Sequence, residues 1–201
     1  MRRPRSLSDA GQAFPIYVTV VAGLLFLAFA FLAVGQAATN RNGAQTAADA
    51  AALAAALDTR DQIAGEWVEN VLDPAKWQDI LDGKGADLDG CGRAAQLAAQ
   101  NDATADCRPV YELPLGYTVD VETDKAVGDS IVPGTENLHA KATATAVIEP
   151  LCTFELPEED AGEGLLPVLT CEDDREWTLD PDDLTDLPKP EDLFDVHLAD
   201  L

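Results

Sequence analysis

Residues 10–40 carry no charge, and they run without a helix breaker into the alanine tract Ala44-Gln45-Thr46-Ala47-Ala48-Asp49-Ala50-Ala51-Ala52-Leu53-Ala54-Ala55-Ala56-Leu57. This junction constrains the fold more than any other feature, because alanine is the best helix former and a helix begun in an apolar medium has no reason to stop there. The apolar run 13–34 has 22 residues, which at about 1.5 Å rise each cover the roughly 30 Å hydrocarbon core of a bilayer. A cleaved secretory signal competes for the same residues, with Gly35-Gln36-Ala37 as a small-x-small site. Its apolar core is normally about 7–15 residues, shorter than this run, so an uncleaved anchor is the expectation. Arg2, Arg3 and Arg5 precede the span against a single acid, Asp9. By the positive-inside rule the N-terminus is cytoplasmic and the C-terminal domain extracytoplasmic in a cell membrane crossed once.

Charge narrows the partners. The chain has 13 Lys and Arg against 37 Asp and Glu, with a pI near 4.1. Nucleic acid is excluded as a partner, since a phosphate-binding surface needs clustered cations. The residues after 40 suffice for one exported domain of ordinary size. They contain all four cysteines, Cys91, Cys107, Cys152 and Cys171, and an even number in an oxidising compartment reads as two disulfides. Three pairings are open. The expected one joins Cys91 to Cys107 and Cys152 to Cys171, each closing a short local loop. No metal or cofactor is expected: the cysteines lack C-x-x-C spacing, and the two histidines, His139 and His197, lie far apart. Asp87-Leu88-Asp89-Gly90 matches part of a calcium loop but lacks the later ligands and the closing glutamate.

Periodicity sets the order of elements. The rod is expected to run to about Leu72, with Ile63, Trp67 and Val71 as an apolar stripe. Asp73-Pro74 opens a short helix carrying Trp77, Ile80 and Leu81, ended by Gly83 and Gly85. Another short helix falls at 93–100. Tyr117, Val119, Val121 and Thr123 alternate with polar residues as in a half-buried strand, and 138–148 alternates likewise, with Ala140, Ala142, Ala144 and Ala146 on one face. A hairpin is expected from 165–171 and 176–179. Residues 172–201 hold 12 acidic residues and three prolines, a composition that leans to an extended or disordered tail, although Phe194, Leu198 and Leu201 at i, i+4 and i+7 would also suit an amphipathic helix. On a helical wheel, Gly43, Ala44, Ala47, Ala51, Ala54 and Ala55 form a smooth strip suited to close helix packing.

The run Asp9-Ala10-Gly11-Gln12-Ala13, the apolar span, and then Arg41-Asn42-Gly43-Ala44-Gln45-Thr46-Ala47-Ala48-Asp49-Ala50-Ala51-Ala52-Leu53-Ala54-Ala55-Ala56 resemble the N-terminal segment of the pseudopilin-like TadE and TadG proteins of tight-adherence (Flp-type) pilus systems. The resemblance covers about residues 8–60. It implies a candidate prepilin-type cleavage between Gly11 and Gln12. The processed members carry a glutamate at the fifth position after the cut and often a tyrosine at the sixth; here those positions are Ile16 and Tyr17.

Together these readings give an α+β chain: a long N-terminal transmembrane helix continuing as an extracytoplasmic rod, packed on a small antiparallel sheet, with an acidic C-terminal tail. Its segments are a cytoplasmic N-terminus (1–12), the transmembrane helix (13–34), the alanine-rich rod (35–72), a disulfide-containing exported domain (73–171) and the acidic tail (172–201). No G-x-S-x-G, H-E-x-x-H, P-loop or kinase set is present, so no catalytic residue is assigned. Two functions compete. One is a non-enzymatic, membrane-anchored component of a tight-adherence pilus or related envelope secretion assembly, meeting lipid, other assembly proteins or a second copy of itself through the N-terminal helix. The other is a stand-alone anchored module whose exported domain binds a ligand or protein.

Overall fold

The structure is a computed structural model that describes residues 13–87, 89–112, 114–126, 137–156, 166–172 and 175–199. Helix α1, Ala13–Glu69, is continuous over 57 residues, about 85 Å at the α-helical rise. Pro15 sits in its first turn, where a missing N–H breaks no ladder. The helix stops at Glu69, slightly before the expected Leu72. There the Asn70 side chain donates to the Glu66 carbonyl at 2.8 Å, and Asp73-Pro74 forces a new start. Helix α2, Pro74–Leu81, follows with Trp77, Ile80 and Leu81 buried. It ends at Gly83, whose positive φ of 65° places it in the left-handed region that favours glycine.

Helix α3, Cys91–Gln100, then leads into a four-stranded antiparallel sheet. Strands β1 (Ala103–Val110), β2 (Leu115–Ala126) and β3 (His139–Pro150) are sequential neighbours, and β7 (Phe194–Leu198) closes the order β1-β2-β3-β7. A second sheet, β4-β5-β6, is formed by Cys152–Phe154, Leu169–Cys171 and Arg175–Trp177. The short helix α4, Pro190–Leu193, precedes β7.

The last strand corrects the reading of the C-terminus. Phe194, Val196 and Leu198 alternate with Asp195 and His197, so the segment has period two, and neither an amphipathic helix nor a free tail describes it. Phe194 is buried, and the strand pairs with β3 from Pro150↔Phe194 to Ala146↔Leu198. Asp192 braces the approach, accepting from the Lys189 backbone at 3.0 Å and from the Arg175 guanidinium at 2.6 Å. Leu201 lies outside the described residues, as do Leu88, Leu165 and residues 1–12, which include the arginines of the N-terminus and the Gly11-Gln12 junction.

The core lies between α1 and the large sheet. Val119 and Ala144 face each other across β2 and β3, as do Tyr117 and Ala146, on the side covered by α1. The outer face is polar: Lys141 pairs with Glu122 at 2.9 Å and Arg108 with Asp120 at 2.6 Å. The Thr143 hydroxyl and the Arg108 guanidinium hold the Asp120 carboxyl below the usual carboxylate range. Exposed pairs of this kind add little stability, but they keep the outer face wet.

Candidate assembly site

Along α1 the environment changes at one point. From Phe14 to Val34 its large apolar residues stand open, among them Phe26 at 72 % and Phe31 at 79 % exposure. The run is long and apolar enough to cross a membrane. In water such a column of aromatic and aliphatic side chains is untenable, since each buried side chain of this size is worth about 1.5–3 kcal/mol. At Ala44 exposure falls to zero, and Ala47, Ala48, Ala51, Ala52, Ala55 and Ala56 are equally covered.

What covers the alanines belongs to the same chain. Helix α3 presents its own buried Ala94 and Ala98, and β3 presents Ala144 and Ala146. Alanine against alanine lets backbones approach closely with almost no side-chain entropy to lose. Of the strip read from the wheel, Ala44, Ala47, Ala51 and Ala55 are buried, Ala54 is half-buried and Gly43 is exposed. The strip is in fact wider, because Ala48, Ala52 and Ala56 also serve it. A helix resting on both a sheet and a second helix needs more than one row of small residues.

The closest approach lies at the foot of α3. A Cβ on Gly90 would stand 2.4 Å from the Ala55 carbonyl oxygen, so only glycine lets the chain pass. Beside it Tyr117 reaches out of β2: its phenol oxygen accepts from the Gly90 N–H at 3.0 Å and shares a proton with the Thr59 hydroxyl at 2.6 Å. Thr59 is fully buried. This knot ties α1, the start of α3 and the centre of the sheet at one point. Burial pushes the Tyr117 phenol above its ordinary range. Thr59 was invisible to the sequence reading, and the only available signal was a hydroxyl interrupting the apolar side of the rod.

Two disulfides brace the domain, one of them next to the knot. Cys91–Cys107 fastens α3 to β1, and Cys152–Cys171 joins directly opposed residues of β4 and β5. Each closes a loop of the size for which cross-linking contributes about 3 kcal/mol. The second sheet seats on the far end of α1: Trp67 and Trp77 lie 5.2 Å apart, and Phe154 of β4 meets Trp77 at 5.3 Å. Such aromatic pairs add about 0.5–1.5 kcal/mol beyond their buried area. Among the described residues no group of His, Cys, Asp or Glu is arranged to hold a metal ion.

No curated protein and no solved structure matches the chain. A family model does. It covers residues 11–58, so it spans the exposed column and the buried alanines and ends one residue before Thr59, and over this N-terminal segment the chain is similar to the TadE/G-like family of Flp pilus assembly.

Proposed function

We propose that the protein is a non-enzymatic, membrane-anchored component of a Flp-type pilus or a related envelope secretion assembly, acting as a minor pilin or a TadE/TadG-like accessory protein. Its N-terminus is cytoplasmic and its folded domain exported. The observation that carries this reading is the continuity of α1: within the family-matched segment one unbroken helix is first apolar and exposed, then buried by its own domain. Packing and display are the whole of its action in this reading, with the exposed apolar column 14–34 as the surface that meets lipid, assembly partners or a second copy. A photo-reactive amino acid placed at Phe26 or Val34 in living cells tests this. Adducts with pilus-assembly proteins are expected; adducts with lipid alone would defeat it.

One observation favours the stand-alone module instead. The alanine strip is already filled from within the chain, so the exported domain needs no partner helix to complete its core. Under that reading the same probes yield only lipid, while a probe on the outer face of the sheet, at Thr104 or Thr143, captures protein.

A further inference from the structure

One face of α1 is left open by the folded domain. Ala44, Ala48, Ala51 and Ala55 mark the covered side, and at about 100° per residue Thr46, Ala50, Leu53 and Leu57 fall on the side away from it. Thr46 is exposed, Ala50 and Leu53 are half-buried, and Leu57 stands 38 % open. The spacing along this face is regular. Leu25, Leu32, Thr39, Thr46 and Leu53 stand seven residues apart, and so do Phe29, Gln36, Gly43, Ala50 and Leu57, each four further on. This is the alternation of a coiled-coil seam, and it passes from the apolar span into the rod with no break in α1. A strict seven-residue repeat keeps such a seam facing its partner by a gentle left-handed supercoil. At the far end the chain's own domain closes it: Ala64, next in the series after Leu57, is covered, and Arg60 pairs with Asp61 at 2.7 Å.

The seam is matched to itself. Copies anchored in one membrane with their bodies on the same side meet only in parallel, so each seam residue faces its own counterpart. Leucine then meets leucine, threonine meets threonine, and Gln36 meets Gln36, where the amide N–H of one donates to the amide oxygen of the other. A polar pair in a mostly apolar seam fixes register and orientation, and at the edge of the hydrocarbon, just past Val34, such a bond also holds helices together. The folded body lies on the opposite side of α1, which leaves room for a second helix. Length supplies the area. From Val18, where the pattern begins, to Leu57 is 39 residues, about 58 Å of helix. A contact one helix wide, about 10 Å, then covers about 600 Å² of each copy and about 1,200 Å² in all, the lower end of what a stable interface buries. The rod alone supplies only about half of that, so span and rod have to pair together.

We propose that α1 pairs with α1 of a second copy along this seam, as a parallel, in-register coiled coil running from Val18 to Leu57. The proposal rests on α1 spanning the bilayer, and the test separates the two; Phe26 and Val34 lie off the seam and stay open to other neighbours. All four cysteines are held in disulfides, so one introduced cysteine is the sole reactive thiol of the full chain. Thr46→Cys, Ala50→Cys and Leu57→Cys place it on the seam, and Arg41→Cys, Gln45→Cys and Gln62→Cys place it at exposed positions off the seam. Each chain is reconstituted at low density in phosphatidylcholine liposomes and oxidised with copper phenanthroline. Severalfold more disulfide-linked dimer is expected from the three seam positions than from the other three. Adding Leu57→Glu to Thr46→Cys sets like charges against each other and is expected to remove most of the capture, and mixing that chain with Leu57→Lys in the same Thr46→Cys background is expected to restore it. The span is read separately by Phe26→Cys, which is expected to resist a water-soluble maleimide until detergent is added. Equal capture on and off the seam overturns the proposal, since collision alone would explain it. So does capture at Thr46→Cys that ignores Leu57→Glu. A shielded Phe26→Cys with no capture on the seam overturns the pairing, leaves the span standing and gives the seam to lipid or another protein. Alkylation of Phe26→Cys in intact liposomes refutes the span itself, and the proposal falls with it.

Discussion

At the scale of single residues, the Thr59–Tyr117–Gly90 knot carries the sharpest consequences. Removing the Tyr117 hydroxyl leaves the Gly90 N–H and the Thr59 hydroxyl buried without their partner. Tyr117→Phe should therefore cost about 1–3 kcal/mol, read as a lowered melting temperature of the full chain in detergent. The pH dependence follows from the same burial. A phenol whose pKa is raised in the folded state contributes stability that is fully present below the unfolded value near 10 and is lost as pH rises through the folded value. Melting curves between neutral pH and pH about 11 should therefore fall more steeply for the parent than for Tyr117→Phe; parallel slopes would show that the phenol ionises freely. Gly90→Ala drives a methyl into the Ala55 carbonyl and should loosen α3 from α1, seen as faster hydrogen exchange in α3. None of this was legible in the sequence. A tyrosine in an alternating strand announces a core position, but its partners stand 58 and 27 residues away, and no local pattern joins them.

Elements were legible in proportion to how regular their periods are. β2 and β3 read plainly because long apolar and polar alternations leave no other fold for them. β1 escaped notice: its residues Ala103-Thr104-Ala105-Asp106-Cys107 are small or charged, and the inner positions only need to clear α3. β7 escaped because the acidity around it resembles a disordered tail, while the alternation that marks a strand spans only five residues. The alanine tract was legible as a packing surface, but its partner was not, since alanine meets helix and sheet alike. Substitution now distinguishes faces of the rod. Ala51→Leu forces extra methylenes into a filled interface and should cost about 1–3 kcal/mol, whereas Thr46→Leu, on the exposed side, should leave the melting temperature nearly unchanged. Equal effects would mean that the sheet does not press on α1. Breaking the cross-strand link with Cys152→Ser and Cys171→Ser should lower stability by about 3 kcal/mol and free the second sheet to proteolysis before the first.

For the whole molecule, length and charge decide. A chain of this acidity stays soluble outside a membrane, and its single long apolar run anchors it. In the proposed reading the arginines at the N-terminus put the domain outside the cell membrane, and a protease added to intact spheroplasts should remove residues beyond the rod and leave the span; full protection would invert the topology. The unbroken helix has one more consequence. Because no hinge separates the bilayer from the folded body, the two share a rotational phase. Each residue inserted between Gly35 and Gly43 would turn the body by about 100° relative to the span and lift it by about 1.5 Å, while seven inserted residues, close to two full turns, would nearly restore its azimuth. If neighbours grip the span on one side and read the body on another, activity should fall and return with helical periodicity as the insert grows. The helix would then act as a driveshaft, carrying the bearing of the span across the surface.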